Sequence, residues 1–454
     1  MTGVQARKAP LRVSSPARNR TTRRHPPRIL VIGGSDHDLR VPFLRELAGR
    51  GFDVAAAGTG PAEPFARCGI AYYAYSFDRF IDPLADWRAL RDLRRIVSRF
   101  QPDIVHSFDT KPGLMAPVAA RAKPGARVVR TINGLGWLFS SASLSARALR
   151  PAFTILHRVT APWTTLTVFQ NRSDAAFFRE RGITGTGDCC LIPGSGADIA
   201  NFRKRRAEGP SPAELRTALG LGGSEVVITV TRLSRVKGIP ALLEAAAIVH
   251  AQRPGVRFLL VGPRETEGKL AIAQAELDRH APYVMAIGAR PDVPSLLGVA
   301  DVFAFPTELF EGVPRVLLEA GLAGLPIVTT DMPGCSDVVR GGEGGFVVPV
   351  GQPERLAARI LDVLNDLGAA REMGARARRH VEENFSLDTV VDSYAAAYAR
   401  LLGEPAHSAP VRRSTVSRAN HAAPAPRTAN EAEPAPPTAA SRPGGVGGHT
   451  KSNV

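Results

Sequence analysis

Cysteine is scarce in this sequence of 454 residues, which contains only four. They are too few and too scattered for a disulfide framework or a zinc site, so we expect a reducing, cytoplasmic setting. We interpret the adjacent Cys189 and Cys190 as small residues within a buried strand. Long apolar runs are missing too, since no window approaches the roughly 18 consecutive apolar residues of a membrane-spanning helix. We therefore expect a protein that is not integral to a membrane.

Acidic residues are fewer than basic ones, 42 against 58, and the formal net charge is +16. Much of this excess lies at the two ends of the chain. Eight basic residues and no acidic residue precede Ile29, and six basic against three acidic residues lie from Glu404 onward. Residues 1–27 contain no apolar segment of the kind that a signal peptide needs, and residues 404–454 are rich in Ala, Pro, Gly and Ser. We expect both tails to be disordered.

Basic tails of this kind also occur in nucleic-acid-binding proteins, which makes that function class an alternative. The body between the tails is only modestly basic, however. It lacks a recognisable helix-turn-helix, zinc module or aromatic-rich binding sheet. We therefore expect no nucleic-acid partner.

The body consists of two consecutive halves in which strands and helices alternate. The first half opens with a strand at Ile29–Ile32, a turn at Gly33 and Gly34, a helix from about Val41 and a strand from Phe52. Further strands are predicted at Ile104–His106, Arg127–Thr131, Leu166–Phe169 and Cys189–Ile192. Such alternation predicts a parallel, doubly wound sheet.

The same pattern restarts after Phe202. The apolar run EVVITV precedes a helix from about Ile239 and the strand VRFLLV. Later strands are predicted at Val284–Ile287, Val302–Phe305, Ile327–Thr329 and Phe346–Val348. The predicted fold class is α/β, with two Rossmann-like doubly wound domains, 28–202 and 203–385, that face a cleft. A last helix at 386–403 is expected to pack back on the first domain. Ligands of such folds gather at the carboxyl ends of the strands.

The strongest local signal is the segment ELFEGVPRVLLEAG. Glu311 and Glu319 stand eight positions apart, a little over two helical turns. Gly312, Val313 and Pro314 form the turn that opens the predicted helix, which carries Arg315 to Ala320. Free N–H groups at a helix N-terminus suit a phosphate or sugar hydroxyls. Two solvated acids are the simpler alternative, but Glu319 lies in an otherwise apolar stretch, where a carboxyl group needs a partner.

A second signal is TRLSRVKG, at the carboxyl end of the EVVITV strand. Arg232 and Lys237 would both lie at this edge of the sheet, where a pyrophosphate could be neutralised between them. Taken alone, the segment fits a basic surface loop equally well. Because the two glutamates are predicted at the same edge, we favour a binding site.

These motifs together resemble the retaining glycosyltransferases of family 4, whose signature combines an Arg…Lys-Gly pair with Glu–x7–Glu. The resemblance implies the GT-B fold, a nucleotide-sugar donor and neither a metal nor another cofactor. It implies that Arg232 and Lys237 bind the donor pyrophosphate, that Glu311 contacts the donor sugar, and that Glu319 binds the ribose hydroxyls. The backbone from Gly312 to Arg315 would complete the donor site, and Arg290 is a further candidate near the nucleotide base.

The first half is similar to family members that build bacterial surface polysaccharides. The segments that carry this similarity are QPDIVHSFDTKPGLMAPVAAR, TINGLGWLF, FQNRSDAAFF and LIPGSGADIANF. The similarity implies a lipid-linked saccharide as acceptor, with UDP favoured in the donor. Such an acceptor places the enzyme at the inner face of the plasma membrane, as a peripheral protein. Candidate contacts with an anionic membrane surface are Leu144, Leu149, Phe153, Leu156, Arg147, Arg150 and Arg158; an ordinary core-facing helix is the alternative.

One position departs from the family pattern. Where many members have a histidine near the reaction centre, this sequence has Asn133, which cannot shuttle a proton. His106, at the predicted end of its strand, is another candidate for contact with substrate, as are Gly33 and Gly34. Asp36 and Asp38 form a D-x-D string, which we expect to cap the following helix rather than to hold a metal.

Another enzyme on the same fold is the nearer alternative. A non-hydrolysing sugar-nucleotide epimerase shares the two-domain architecture, although its catalytic acids are not recognisable here. A phosphorylase would need a pyridoxal-phosphate lysine and a much longer chain.

Overall fold

The computed structural model describes residues 25–34, 36–78, 82–140, 143–185, 187–339 and 343–404. Nearly all of the two predicted disordered tails, 1–27 and 404–454, lies outside these ranges.

Seven parallel strands form the first sheet, in the spatial order β3-β2-β1-β4-β5-β6-β7. They are β1 (Arg28–Ile32), β2 (Asp53–Gly58), β3 (Ala71–Ala74), β4 (Ile104–Phe108), β5 (Arg127–Ile132), β6 (Leu166–Phe169) and β7 (Asp188–Leu191). The strand order reverses between β1 and β4. In an open parallel sheet the crevice for a ligand forms at such a switch point, beyond the carboxyl ends of the strands.

The helices of this half are α1 (Val41–Gly49), α2 (Glu63–Ala66), α3 (Pro83–Phe100), α4 (Thr110–Ala119), α5 (Gly136–Ser140), α6 (Leu144–Thr160) and α7 (Arg172–Glu180). Short 3-10 turns span His37–Arg40, Ala120–Ala122 and Ala161–Trp163. Alternate residues of β1 enter two separate cores. Ile29 and Val31 pack with α1 on one face, whereas Leu30 and Ile32 pack with α3 and α4 on the other. Both faces of the sheet are therefore covered, which explains the continuous apolar runs of its strands.

The second sheet has six parallel strands in the order β10-β9-β8-β11-β12-β13. They are β8 (Val226–Val230), β9 (Arg257–Val261), β10 (Val284–Ala286), β11 (Val302–Phe305), β12 (Ile327–Thr330) and β13 (Gly345–Val348). Its switch point lies between β8 and β11, so residues that follow these two strands meet at one crevice.

The helices of the second half begin with α8 (Ile199–Glu208), α9 (Pro212–Ala218), α10 (Ile239–Gln252), α11 (Gln274–Asp278) and α12 (Val293–Leu296). They continue with α13 (Arg315–Ala323), α14 (Cys335–Val339), α15 (Pro353–Asn365) and α16 (Leu367–Asn384). Turns of 3-10 type span Arg235–Lys237, Glu265–Leu270 and Leu297–Val299.

The last helix, α17 (Leu387–Leu402), packs on the first sheet. Ser386 caps it by accepting a hydrogen bond from the backbone N–H of Thr389. Its tyrosines, Tyr394 and Tyr398, are almost fully buried in the core that β1 and α1 share. Ala197, in the segment between the halves, exchanges backbone hydrogen bonds with the chain on both sides of Ser386. The chain therefore crosses between the two halves at two neighbouring points, once near Ala197 and once near Ser386.

The structure corrects several expectations about local structure. The sequence patterns missed strand β3, whose side chains are only partly covered. Cys189 is exposed and Cys190 is half-buried, because β7 is an edge strand rather than a buried one. Neither Asp36 nor Asp38 caps α1, since a 3-10 turn intervenes and no side-chain cap bond forms.

Two of the candidate membrane contacts on helix α6, Phe153 and Arg150, face the protein instead. Phe153 faces the core, and Arg150 donates hydrogen bonds to the carbonyl oxygens of Leu138 and Phe139. The apolar residues that α6 exposes are Leu144, Ile155, Leu156 and Val159.

Candidate active site

Lys237 reaches the switch point of the second sheet through a tight turn. The turn Arg235–Lys237 follows β8 and ends at Gly238, whose φ is 69°. A Cβ atom at Gly238 would lie 1.8 Å from the carbonyl oxygen of Pro306, which follows β11. Only glycine allows this approach, so the sequence Lys-Gly brings the lysine directly against the neighbouring strand.

Lys237 and Glu311 form an ion pair at this crevice. The distance from Lys237 Nζ to Glu311 Oε1 is 2.6 Å, and Thr307 Oγ1 donates a second hydrogen bond of 3.2 Å to the same oxygen. The lysine side chain is only 7% exposed and that of the glutamate 22%. A buried ion pair contributes little net stability because desolvation offsets the attraction. Its effect here is to hold an ammonium and a carboxylate at a fixed position.

Arg232 lies at the same edge of the sheet with a different partner. Its Nη1 is 2.9 Å from Oε1 of Glu267, a carboxylate that is only 5% exposed, while the guanidinium remains 40% exposed. Two cations thus follow β8, each held by its own carboxylate. That these two cations bind a pyrophosphate stays a prediction.

The segment 310–313 contacts the first half of the protein. The side-chain amide of Asn171 donates to the backbone oxygens of Glu311 and Gly312, and the backbone N–H of Gly136 donates to the oxygen of Phe310. A Cβ atom at Gly134 would lie 2.7 Å from that same oxygen. Further contacts to this segment come from Ser140, Gln170 and Gly194. The loops after β5 and β6 therefore lie directly against the loop that carries Glu311.

Helix α13 begins as the sequence predicted. Pro314 is its N-cap in extended conformation, Val313 is buried, and Arg315 is the first helical residue. Glu319, one turn further on, lines a cavity together with Arg315, Arg205 and Asn201. Burial raises the pKa of Glu319, and the two arginines oppose that rise. Among the described residues, no hydrogen bond or ion pair joins Glu319 to Lys237 or Glu311.

A polar cluster that includes Asn133 lies at the switch point of the first sheet. Asn133 Nδ2 donates a hydrogen bond of 2.8 Å to Oδ1 of Asp109, and the backbone N–H of Gly34 donates one of 3.3 Å to Oδ2. The hydroxyl of Tyr75 donates to the oxygen of Gly33. Asp109 is not among the residues predicted above, although its position after a buried strand is a usable signal. The same is true of Asn171, which follows β6.

The prediction that His106 contacts substrate is wrong. Strand β4 continues to Phe108, so His106 is an internal strand residue with no exposed surface. Its ring nitrogens bond Thr131 and Tyr398 at 2.8 and 2.5 Å. Burial lowers its pKa well below the usual value, so the ring is neutral. Through these hydrogen bonds, His106 connects helix α17 to the first sheet.

Arg290 lies in the loop after β10, at the carboxyl edge of the second sheet. Its guanidinium makes a two-point contact with the carboxylate of Asp292. Within the described residues, no group of three or more His, Cys, Asp or Glu side chains has an arrangement that could hold a metal ion.

Comparison with known families identifies both halves. Residues 42–193 match the glycosyl transferase 4-like domain, and residues 213–380 match the glycosyl transferases group 1 family. The chain belongs to the group 1 glycosyltransferases. The group 1 match contains Arg232, Lys237, Glu311 and Glu319, so this glycosyltransferase carries its predicted donor residues in the half that defines the family.

Curated relatives of this glycosyltransferase are moderately similar. Spore coat protein SA of Bacillus subtilis is 30% identical over 220 residues, which are 45% of this chain and 57% of that protein. The chain thus spans little more than half the length of that relative. The UDP-Gal:α-D-GlcNAc-diphosphoundecaprenol α-1,3-galactosyltransferase of Escherichia coli is 25% identical over 325 residues, 71% of this chain and 81% of that enzyme.

Solved structures show the same architecture. The crystal structure of HepE from Anabaena in complex with UDP superposes with a TM-score of 0.66 at 19% identity, covering 82% of this chain and 100% of that one. The predicted GT-B fold, with two Rossmann-like domains, is confirmed.

Proposed function

We propose that this glycosyltransferase moves a sugar from a nucleotide-sugar donor to a hydroxyl of a lipid-linked saccharide, with retention of the anomeric configuration. The observation that carries this proposal is the Lys237–Glu311 pair. It lies at the switch point between β8 and β11, against loops of the other half. A sugar bound there would lie between the donor half and the acceptor half.

The two cations of the site suit the leaving group. As the bond between the sugar and the diphosphate breaks, negative charge develops on the phosphate oxygens. Lys237 and Arg232 would stabilise that charge, and the backbone N–H groups of Gly312, Val313 and Arg315 would contribute at the start of α13. The carboxylate partners hold both cations in place before the donor arrives, so little reorganisation is needed during the reaction.

The remaining proposed donor contacts come mostly from the second half of the chain. Glu311 would accept hydrogen bonds from the sugar, and Glu319, in its own cavity, from the ribose hydroxyls. Arg290 would lie at the nucleotide base. In the first half, Gly33, Gly34 and Asn133, which lie at the carboxyl edge of the sheet, would complete the site on its opposite side.

A retaining reaction on one face of the sugar needs no side-chain base. The acceptor oxygen forms its bond to the anomeric carbon as the bond to the phosphate breaks, and the leaving phosphate takes the acceptor proton. Asn133 can hydrogen-bond a substrate but cannot take that proton, which is compatible with this mechanism.

The choice of UDP and of a lipid-linked acceptor is supported by the comparisons. The name of the Escherichia coli relative includes both a UDP-sugar and a diphosphoundecaprenol acceptor. The solved structure of HepE contains UDP.

A lipid-linked acceptor implies contact with the inner face of the plasma membrane. The outer surface of α6 fits this role, since Leu144 is 83% exposed and Ile155, Leu156 and Val159 are more than half exposed. Arg147 and Arg158 lie on the same helix and are exposed. Within the described residues, no helix is long and apolar enough to cross a membrane.

Two measurements test the proposed function. A thermal-shift screen of UDP- and GDP-sugars should find one that stabilises the protein, because a ligand at about 100 times its Kd adds roughly 2.7 kcal/mol to the free energy of unfolding. That sugar should then be transferred to a polyprenyl-diphosphate saccharide, with the anomeric configuration of the product read by NMR. Inversion would contradict the mechanism. Conversion of the nucleotide sugar to an epimer without acceptor would favour the epimerase instead.

A further inference from the structure

Asp109 has an unusual backbone conformation for a residue with a side chain. It follows β4 and precedes α4, with φ 70° and ψ 161°. This region is essentially restricted to glycine, and side chains held in it occur mainly where a functional site requires them. The conformation costs free energy that contacts of the side chain must offset.

Two hydrogen-bond donors and one cation surround the Asp109 carboxylate. Asn133 Nδ2 lies 2.8 Å from Oδ1, the backbone nitrogen of Gly34 lies 3.3 Å from Oδ2, and Nη2 of Arg40 lies 3.5 Å from Oδ1. Arg40 in turn stacks on the ring of Phe108, at 3.8 Å from the ring centroid. These three groups come from the ends of β1 and β5 and from the turn before α1. They direct the carboxylate to the switch point of the first sheet.

Asp109 also fixes the orientation of Asn133. An ionised carboxylate only accepts hydrogen bonds, so the nitrogen of the Asn133 amide must face Asp109. The oxygen of that amide then faces away; it is buried and accepts no hydrogen bond from the described residues. A buried carbonyl oxygen of this kind requires a donor group.

The carboxylate of Asp109 is partly exposed at the carboxyl edge of the first sheet. Its side chain is 42% exposed, although two hydrogen bonds and an ion pair hold it. The adjoining residues Asn133 and Gly134 lie directly against the backbone of Glu311 and Gly312. The carboxylate therefore lies close to the loop that carries the proposed donor-sugar contact.

We propose that Asp109 is a substrate-binding residue, whose carboxylate accepts a hydrogen bond from a sugar hydroxyl in the cleft. The inference rests on the proposed function and adds a residue to it. Each carboxylate oxygen has lone-pair capacity beyond the donors that it already binds. The sugar belongs either to the donor or to the acceptor saccharide, because both meet at this place.

The test compares Asp109→Asn with Asp53→Asn. Asp53 is a matched control, since it is 44% exposed and pairs with Arg28 at 3.0 Å, but it lies at the amino-terminal start of β2, away from the cleft. Loss of a hydrogen bond to a charged group should lower kcat/KM for transfer by about 10- to 100-fold in Asp109→Asn. Binding of UDP alone, measured by calorimetry, should not change in either variant. Asp53→Asn should transfer as well as the unmodified protein.

Two further readouts identify the sugar. If the hydroxyl belongs to the donor, Asp109→Asn weakens binding of the UDP-sugar but not of UDP, and slows hydrolysis of the donor without acceptor. If it belongs to the acceptor, donor binding and hydrolysis are unchanged and the KM for the lipid-linked saccharide rises. Asp109→Gly, which removes the carboxylate but suits the positive φ, should repeat the result if Asp109→Asn folds poorly.

Three results would overturn the inference. Unchanged transfer by both Asp109 variants would exclude a contact with substrate. A loss of UDP binding equal to the loss of transfer, together with a lower Tm in both, would make Asp109 a purely structural residue. If the unmodified protein binds no nucleotide sugar at all, the proposed function fails and this inference fails with it.

Discussion

Lys237 is nearly buried and pairs with Glu311, and we propose that it stabilises the leaving phosphate during transfer. We expect Lys237→Ala to lower kcat by the equivalent of about 2.7–4 kcal/mol, as for the loss of one donor to a developing oxyanion. Arg232→Ala should have an effect of the same direction. The measurement is steady-state transfer, with circular dichroism to confirm folding.

Arg235 provides the control for this prediction. It lies in the same turn, is half exposed, and pairs with Glu276 rather than with a residue of the crevice. Arg235→Ala should therefore retain normal turnover. Near-normal kcat in Lys237→Ala would mean that the donor phosphates bind elsewhere.

Glu319 should influence nucleotide binding rather than turnover. A ribose contact is the same in ground and transition states, so Glu319→Gln should raise the KM for the donor and leave kcat nearly unchanged. Because burial raises the pKa of Glu319, its ionised form is lost at a higher pH than usual. Donor KM should rise as the pH falls through that raised pKa, and Glu319→Gln should abolish this dependence. An equal pH profile in both proteins would remove Glu319 from the ribose site.

Asp174, in the first turn of α7, is a buried carboxyl group behind the contact between Asn171 and the loop that carries Glu311. It holds the amide of Asn171, which binds the backbone of Glu311 and Gly312. Burial raises the pKa of Asp174 to about 7, and the charge of Asp337 adds to that rise. An unfolded aspartate has a pKa of about 3.9, so the folded protein binds the proton more tightly.

The sign of the effect on stability follows from this difference. The contribution of protonated Asp174 is complete below about pH 3.9 and is lost as the pH rises to about 7. We expect Asp174→Asn to remove this part of the fall in the free energy of unfolding between pH 4 and pH 7. Chemical denaturation of both proteins across that range measures it. Parallel curves would show that Asp174 titrates normally.

Helix α6 carries the prediction about the membrane. Replacing Ile155, Leu156 and Val159 by Ser should weaken co-sedimentation with anionic vesicles, because each residue exposes more than half of its surface. Anionic headgroups attract a nearby Arg by about 1 kcal/mol, and salt screens this attraction. Binding should therefore also fall at high salt and in an Arg147→Ala/Arg158→Ala variant.

The matched control is on α3 of the same half, where Leu84 and Trp87 are equally exposed. Replacing these two by Ser should leave vesicle binding unchanged. If the α6 variants bind vesicles as well as the unmodified protein, this helix is an ordinary surface helix.

At the scale of the whole molecule, the reaction should proceed without a metal. The cations that face the proposed leaving group are Lys237 and Arg232, both fixed by carboxylates. We expect transfer to continue in excess EDTA, measured after prior dialysis against the chelator. Loss of activity that manganese or magnesium restores would contradict this expectation.

The sequence by itself determined the two-sheet architecture, because buried parallel strands leave continuous apolar runs and tight turns leave glycines. It also placed Lys237, Glu311 and the start of α13, since each follows a strand or opens a helix by local rules. Strand β3 was not predicted because its side chains are only half-covered, so the strand lacks a continuous apolar run. Cys189 and Cys190 were misplaced because the composition of a strand does not reveal that it lies at an edge.

Only the tertiary structure decided which polar residues are buried and which are exposed at the edge of the sheet. His106 and Asp109 are three residues apart on the same strand and its loop, and the sequence favoured the histidine. Packing of α17 buries His106 against Tyr398, whereas the positive φ of Asp109 turns its carboxylate to the cleft. Both outcomes depend on contacts between residues that are distant in the chain. A local pattern cannot encode such contacts, because the partner's position is fixed only when the sheet and the last helix pack together.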